Sequence, residues 1–284
     1  PDALPQGRNS PQKCNYGLYA EHLSGSAFTA PSGSNERTWC YRIRPSVKHM
    51  QAFVRVDLPY WQSAPRIDHS IMSLGQYRWD PLPHAEQALT WLTGMRTMTT
   101  AGDMNTQVGM SSHIYLVNHS MHDAYFYSAD SEFLVVPQEG RLRFVTELGI
   151  IDLAPSEIGI IPRGLLYRVE VLEGPARGFI CENYGQKFNL PERGPIGANC
   201  MANRRDFKVP VAAFEDRDIA STVTAKWCGQ FYQTTIDHSP LDVVAWHGNY
   251  APCKYDLGSY CPIGAVLFDH PDPSIFTVLT APSG

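Results

Sequence analysis

The fold is decided by residues 132–171, which run EFLVVPQEGRLRFVTELGIIDLAPSEIGIIPRGLLYRVEV. Short runs of Val, Ile, Leu and Phe alternate here with turns that contain Gly, Pro, Asp or Ser. Short strands at a spacing of roughly 8–12 residues are typical of a β-sandwich or a β-barrel. The pattern extends over residues 111–185 and predicts strands at 114–117, 124–127, 132–137, 142–146, 149–153, 158–162, 167–171 and 177–184. We therefore predict a mainly β fold with few short helices.

A finer pattern within this region resembles the cupin jelly roll. The stretch from Gly159 to Tyr167 (GIIPRGLLY) places a Pro and a Gly two residues apart before a ring-bearing side chain. The second cupin motif has this arrangement, with a histidine as the ring in metal-binding members. The His-x-His of the first motif is missing from Ser128 to Glu132 (SADSE). The resemblance implies a cupin-like jelly-roll β-sandwich, with a barrel core at about residues 111–185 and no metal in that barrel.

The composition favours one large β-rich unit and argues against several partners. The 284 residues include 22 Gly and 22 Pro, and the net charge is −5, with basic residues spread along the chain. This argues against nucleic acid or an anionic membrane as partner, and no run reaches the roughly 20 apolar residues of a membrane span. The seven cysteines form no close pairs, and the first residues lack a signal-peptide pattern, so we expect free thiols and a cytoplasmic protein.

The flanking regions are less regular. Residues 1–50 form an aromatic-rich arm that we expect to pack on its own domain or on a neighbouring subunit. Within the arm we predict a short helix around Leu18–Leu23 and a strand at Thr38–Ile43. Four prolines interrupt residues 51–90, which we predict as loops with one or two strands and, at 86–92, a short helix or a strand end. Residues 206–211 and 230–233 are expected to be extended.

Histidines are the main candidates for chemistry, because phosphate loops, nucleophile elbows and the H-E-x-x-H motif are missing. His270 lies in Phe268 to Pro273 (FDHPDP), where two prolines stiffen the backbone. The adjacent Asp269 is able to orient this imidazole, which ordinarily titrates near neutral pH. His247 follows Trp246 and precedes a glycine. The residues alone leave a purely structural role open for both histidines.

Several long strings resemble the homogentisate 1,2-dioxygenase family. They are 18–29 (LYAEHLSGSAFT), 34–43 (SNERTWCYRI), 194–199 (GPIGAN), 243–250 (VVAWHGNY) and 268–280 (FDHPDPSIFTVLT). They occur in the family's order over essentially the whole chain. The resemblance implies a cytosolic, Fe(II)-dependent dioxygenase that opens homogentisate with O2 to 4-maleylacetoacetate in tyrosine and phenylalanine breakdown.

The resemblance also implies a division of the protein and a role for each part. Residues 1–265 would be the large β-rich N-terminal domain, and 266–284 the lead-in to a C-terminal catalytic domain. The family's iron is held by two histidines and a glutamate, which we expect downstream of Gly284, so we expect no metal ligand and no bound iron in this chain. His270 would be the proton acceptor from the substrate phenol, with Asp269 and His247 in supporting positions. The family forms trimers that can pair into hexamers, so a homo-oligomer is expected.

Two alternatives stay open at this point. In the first alternative, the chain is a non-catalytic cupin-like module for scaffolding or assembly. In the second, it is an independent cupin whose metal is bound by histidines outside the usual motifs. The histidines considered for that metal are His113, His119, His122 and His247.

Overall fold

A computed structural model describes residues 15–64, 75, 76, 78, 80–193, 201–261 and 276–282. Within these residues the chain forms fourteen strands, and its helices are short 3-10 turns. The strands are β1 (Tyr19–Ser24), β2 (Arg37–Arg42), β3 (Val54–Val56), β4 (Met95–Asp103), β5 (Val108–Val117), β6 (Ala124–Ser128), β7 (Glu132–Thr146), β8 (Gly149–Leu153), β9 (Glu157–Ile161), β10 (Tyr167–Asn183), β11 (Ser221–Trp227), β12 (Gln230–Ile236), β13 (Val243–Gly248) and β14 (Cys253–Asp256). The 3-10 turns are Asn15–Gly17, Ser46–His49, Arg204–Asp206 and Leu257–Ser259. The predicted mainly β fold with few short helices is confirmed.

Two long strands, β7 and β10, form the centre of an eleven-stranded sheet. They pair antiparallel from Tyr167↔Thr146 to Asn183↔Glu132, with register shifts between Val171 and Gly178. The sequence pattern predicted each of them as two separate strands. Gly140 lies within β7 at a φ of 73°, so this strand bends where the prediction placed a turn.

The sheet folds over because β10 has different neighbours along its length. Its first residue pairs with β6 as well as with β7, whereas residues 176–183 pair with β5. The residues between the folded parts form one continuous aromatic core, in which the rings meet edge-on or tilted. The centroid distances are 5.2 Å for Trp91 and Phe144, and 5.6 Å for Phe126 and Tyr167.

The strands β1, β2 and β13 form a second, three-stranded sheet. In β2 buried and half-buried residues alternate, with Thr38, Cys40 and Arg42 turned towards the protein. The predicted helix around Leu18–Leu23 is wrong, because Tyr19–Ser24 pairs residue for residue with Arg37–Arg42. Six cross-strand pairs outweigh a weak local helix preference. The part of the arm described from residue 15 onwards thus packs on its own chain.

Among the predictions for residues outside the core, some are confirmed and others are wrong. The single strand in the described part of residues 51–90 is β3, at the edge of the large sheet. Residues 86–92 form turns and bends instead of a helix or a strand end. The stretch 206–211 is joined to the sheet only by an isolated bridge between Lys208 and Lys254, whereas 230–233 lies in β12 as expected. No helix in the described ranges is long and apolar enough to cross a membrane.

Replacing Gly94 with Ala is expected to lower the free energy of unfolding by about 1–3 kcal/mol. A Cβ atom at Gly94 would lie 2.0 Å from the carbonyl oxygen of Leu116, and Leu116 itself donates its N–H to the Gly94 carbonyl at 3.0 Å. The strain therefore falls on backbone that pairs within the core. Denaturant unfolding measures the change, and Gly33→Ala is the matched control because a Cβ there has no neighbour within 4 Å. Equal stability of the two variants would contradict this packing.

Candidate functional site

His247 lies on the outer face of the three-stranded sheet. The pairing registers place His22 of β1 and His247 of β13 on either side of Trp39 of β2. Because side chains alternate along a strand, these three point to the same side of the sheet, together with Tyr41 two residues further on. We call His22, Trp39, Tyr41 and His247 the outer face.

The outer face is held by contacts between its rings. The Tyr41 hydroxyl lies 3.1 Å from His247 Nε2, and the two rings stack with centroids 5.9 Å apart. The His22 ring lies 4.9 Å from that of Trp39, and His22 Nδ1 lies 3.0 Å from Ser24 Oγ. Burial, and then the nearby charge of Arg37, lower the pKa of His22. The face thus presents aromatic and imidazole surface, with His247 itself exposed.

His270 and Asp269 lie outside the described residues, so their predicted roles stay predictions. The segment that follows them is described from residue 276 onwards. Thr280 exchanges two backbone hydrogen bonds with Asn189, at 2.8 and 3.2 Å, and the Pro282 carbonyl accepts one from Gln186 at 3.1 Å. The chain after the His270 motif is therefore fixed to residues 186–189.

A cleft of 830 Å³ lies next to this attachment. Its lining includes Gln186 and Asn189, and on the other side Glu132, Arg163 and Tyr250. The Glu132 carboxylate is buried and accepts a 2.8 Å hydrogen bond from the Phe188 N–H. Burial raises the pKa of Glu132, since a buried carboxylate loses its hydration. The cleft therefore offers a polar wall with a carboxyl group that is easily protonated.

A cluster of ionisable side chains fills the centre of the folded sheet. Glu182 is fully buried on β10. Its carboxylate accepts a hydrogen bond from His113 Nε2 at 2.9 Å and forms an ion pair with the Lys226 ammonium. The Ser131 hydroxyl donates to the same carboxylate at 2.5 Å. The second carboxylate, Asp130, lies 3.4 Å from Lys226 Nζ. We call His113, Asp130, Glu182 and Lys226 the central ion cluster.

Contacts within the central ion cluster set the pKa of Glu182. Burial alone would raise the pKa of Glu182, but Lys226 and then His113 outweigh it and lower this pKa to about 2. The carboxylate is thus ionised at neutral pH, and its charge is balanced inside the protein. Sequence reasoning missed this cluster, because a lone Lys in a strand is usually solvated and Lys is almost never fully buried unless paired.

The iron that the family resemblance implies does not fit these residues. In the central ion cluster the Lys226 ammonium already lies between the two carboxylates. Asp130 also accepts the backbone N–H groups of Cys228 at 2.7 Å and Gly229 at 2.9 Å, so its oxygens face donors. Across the described ranges, no three His, Cys, Asp or Glu side chains are grouped in a way that could hold a metal ion.

The residue at the position of the cupin histidine has a structural role. Tyr167 is buried, and its hydroxyl accepts a 3.1 Å hydrogen bond from Trp91 Nε1. Burial raises the pKa of Tyr167, so the phenol stays neutral. At this position the barrel therefore uses an aromatic core contact instead of a metal ligand.

Known proteins were compared with the chain in three ways. A family model described as homogentisate 1,2-dioxygenase N-terminal matches residues 1–257, and one described as homogentisate 1,2-dioxygenase C-terminal matches residues 258–284. Homogentisate 1,2-dioxygenase from Rhodopseudomonas palustris is 63% identical over 283 residues, and that from Sinorhizobium fredii is 64% identical over 286 residues. Both alignments cover 100% of this chain, and the chain spans 63% of the length of either relative.

Similarity to solved structures is weaker. A cupin-2 domain containing protein from Shewanella frigidimarina aligns at 17% identity with a TM-score of 0.28, over 35% of this chain and 84% of that one. A variant of oxalate decarboxylase from Bacillus subtilis aligns at 14% identity with a TM-score of 0.26, over 36% of this chain and 31% of that one. Scores this low add nothing to what the strand pairing shows, whereas the sequence matches extend over the whole chain. The chain therefore belongs to the homogentisate 1,2-dioxygenase family.

Proposed function

We propose that the protein to which this chain belongs opens the ring of homogentisate with O2 to give 4-maleylacetoacetate, as a step of tyrosine and phenylalanine breakdown. The observation that carries the proposal is the 63% identity over the whole chain to relatives named homogentisate 1,2-dioxygenase. The alignment spans the whole chain and therefore includes the outer face and the His270 motif.

In this proposal residues 1–265 are a β-rich frame, and 266–284 lead into a catalytic domain. The fixed attachment of residues 280–282 to residues 186–189 supports this order, because it holds the lead-in against the frame. The cofactor is Fe(II), bound by residues other than those described here, since the donors of the central ion cluster are committed to one another and the described residues group no other set of three His, Cys, Asp or Glu that could hold a metal ion. Iron supplies the site at which the substrate and O2 react.

His270 is proposed as the group that takes a proton from a substrate phenol. Its ring nitrogen ordinarily changes charge near neutral pH, as a general base requires. Asp269 is proposed to orient it. His247 is proposed as a supporting residue, because it is exposed beside Tyr41 on a face with three other ring side chains.

The setting of the enzyme is also a proposal. The cytoplasm is consistent with the thiols of Cys40, Cys181, Cys228 and Cys253, which form no disulfide within the described residues. A trimer or a dimer of trimers is proposed for the assembly. Partners other than homogentisate, O2 and further copies of the chain are not proposed, and neither nucleic acid nor a membrane is needed.

The experiment is to supply homogentisate to the purified full-length protein loaded with Fe(II) and to follow O2 consumption together with product absorbance. One O2 consumed for each product formed is the expected result. If homogentisate stays intact while the protein holds its iron, the proposed reaction is wrong. The scaffold alternative predicts neither bound iron nor turnover, so iron content separates the two.

Replacing Tyr41 with Phe tests the outer face. The hydroxyl that contacts His247 Nε2 is removed while the stacked ring remains. We expect the free energy of unfolding to change by no more than about 1 kcal/mol, because an exposed hydrogen bond contributes little net stability. If the face supports catalysis, kcat/KM falls severalfold by steady-state kinetics, and the exposed Tyr60→Phe change is the matched control. Unchanged kcat/KM in Tyr41→Phe would remove His247 and its face from the proposed site.

A further inference from the structure

Four side chains form a continuous chain of contacts beneath the start of β13. Asp237 Oδ1 lies 2.8 Å from His238 Nδ1, and His238 Nε2 lies 2.9 Å from His49 Nδ1. At the other end, His49 Nε2 lies 3.2 Å from Asp242 Oδ1. Both imidazoles are nearly fully buried, at 2% exposure for His49 and 5% for His238. We call His49 and His238 the histidine pair.

The order of the contacts fixes how many protons the histidine pair needs. A carboxylate only accepts hydrogen bonds, so His238 Nδ1 and His49 Nε2 must each carry a proton. The contact between the two rings needs a third proton, on one nitrogen or the other. Two neutral imidazoles carry two protons in total. The complete set of contacts therefore requires one imidazolium, shared by the pair.

The charges around the histidine pair favour this extra proton. Arg42 faces three carboxylates, at 3.0 Å from Glu21, 2.5 Å from Glu147 and 3.5 Å from Asp242. One guanidinium leaves two of these three negative charges unbalanced, and the imidazolium offsets one more. A hydrogen bond from His238 lowers the pKa of the exposed Asp237.

The other charged groups near the pair are neutralised locally. Arg44 pairs with Asp216 and Asp218, and its backbone N–H donates to Asp242 Oδ2 at 2.7 Å. Beyond Ser239, the Glu215 carboxylate is paired with Arg168 and Arg217. Lys48 on the same 3-10 turn is exposed to solvent. None of these groups supplies a competing cation inside the cluster.

We propose that the histidine pair is a proton-operated lock, which fastens residues 237–242 to the Ser46–His49 turn only while it holds its third proton. Without that proton, two lone pairs face each other at 2.9 Å or one carboxylate loses its contact. Asp242 directly precedes Val243, where β13 begins, and β13 carries His247. The lock thus controls how firmly β13 and the outer face are held, whatever reaction the protein performs.

The sign of the pH dependence follows from the proton count. The locked form holds one proton more than the opened form, so the free energy of opening falls as the pH rises. One released proton changes the opening equilibrium by up to about tenfold per pH unit.

Hydrogen exchange read by mass spectrometry on the full-length protein tests the lock. The reporting amides are those of Arg44, which bonds Asp242, and of Ser239, which bonds the Arg217 carbonyl. After correction for intrinsic exchange, protection of these peptides should fall with rising pH, by up to about tenfold per pH unit where the proton is released, in a series of buffers from about pH 5 to 9. Protection that is constant over this range would overturn the proposal.

His238→Gln is the diagnostic variant, because an amide at this position is able to donate to a neutral His49 and removes the need for a third proton. Its protection should not depend on pH, whereas His119→Gln, at an exposed histidine that contacts Asn118, should behave as the wild type. A His238→Gln variant with the wild-type pH profile would overturn the proposal. Should this variant not fold, ring ¹⁵N shifts of the wild type decide: three ring-bound protons at about pH 6 support the lock, and two contradict it.

Discussion

Replacing Lys226 with Met is expected to lower the free energy of unfolding by about 3–5 kcal/mol, the usual cost of removing one partner from a buried ion pair. The ammonium is fully buried and contacts both Glu182 and Asp130. Without it, the buried Glu182 carboxylate keeps His113 and Ser131 as partners, and Asp130 keeps only hydrogen-bond donors without a full charge. Denaturant unfolding of the protein measures the loss.

Two further variants serve as the control and the rescue for this measurement. Lys208→Met removes a solvent-exposed lysine and should change stability by less than about 0.5 kcal/mol. Adding Glu182→Gln to Lys226→Met removes the uncompensated charge, so the double variant should recover part of the loss. If Lys226→Met is as stable as Lys208→Met, the central ion cluster is not what holds the sheet together.

The same cluster predicts how stability depends on acid. The pKa of Glu182 is about 2 in the folded protein, below the ordinary value of about 4.3 for an unfolded glutamate. The contribution of Glu182 is therefore complete above about pH 4.3 and is lost as the pH falls towards 2. In Glu182→Gln this part of the acid dependence should be absent, and acid titrations followed by circular dichroism would show it.

Replacing His270 with Asn in the full-length protein is expected to reduce kcat by about 10²–10⁴-fold, the usual contribution of a general base. The bound iron should stay near the wild-type amount, because the residue is proposed as a proton acceptor and not as a ligand. Turnover with homogentisate and metal analysis on the same sample make the comparison. Loss of iron in proportion to activity would assign His270 to the metal instead.

Asp269→Asn is the companion to this variant. If Asp269 only orients the imidazole, kcat should fall less than in His270→Asn, and the pH profile of kcat should shift. A larger loss than in His270→Asn would reverse the two proposed roles.

The strands of residues 111–185 were predictable because their periodicity is local. Apolar residues and turn residues alternate there at strand spacing, and each predicted segment matches part of a strand between β5 and β10, with 158–162 and 177–184 each running one residue past the strand end. The strand β1 was not predictable in this way, because Tyr19–Ser24 becomes a strand only by pairing with Arg37–Arg42. Strands β4 and β11, rich in Thr and Ser, lack the apolar pattern that would have marked them.

The candidate site shows the same difference between features that local sequence predicts and features that depend on long-range contacts. His247 was visible in the sequence because Trp, His and Gly occur together, but its partner Tyr41 is 206 positions away. The histidine pair joins residues 189 positions apart, and Glu182 meets Lys226 across 44 positions. Such contacts depend on how distant parts of the chain pair and fold together and not on local composition. No sequence motif therefore marks them.

The central claim is that the described β domain is a frame with its own buried charges, and that the iron of the proposed enzyme is bound elsewhere. The most direct measurement is the number of iron atoms bound per chain in full-length His113→Gln, which removes the one histidine of the central ion cluster while its amide is still able to reach Glu182. We predict the same iron content as in the wild type, in a protein with unchanged strand content by circular dichroism. A folded His113→Gln protein that has lost its iron would contradict this account.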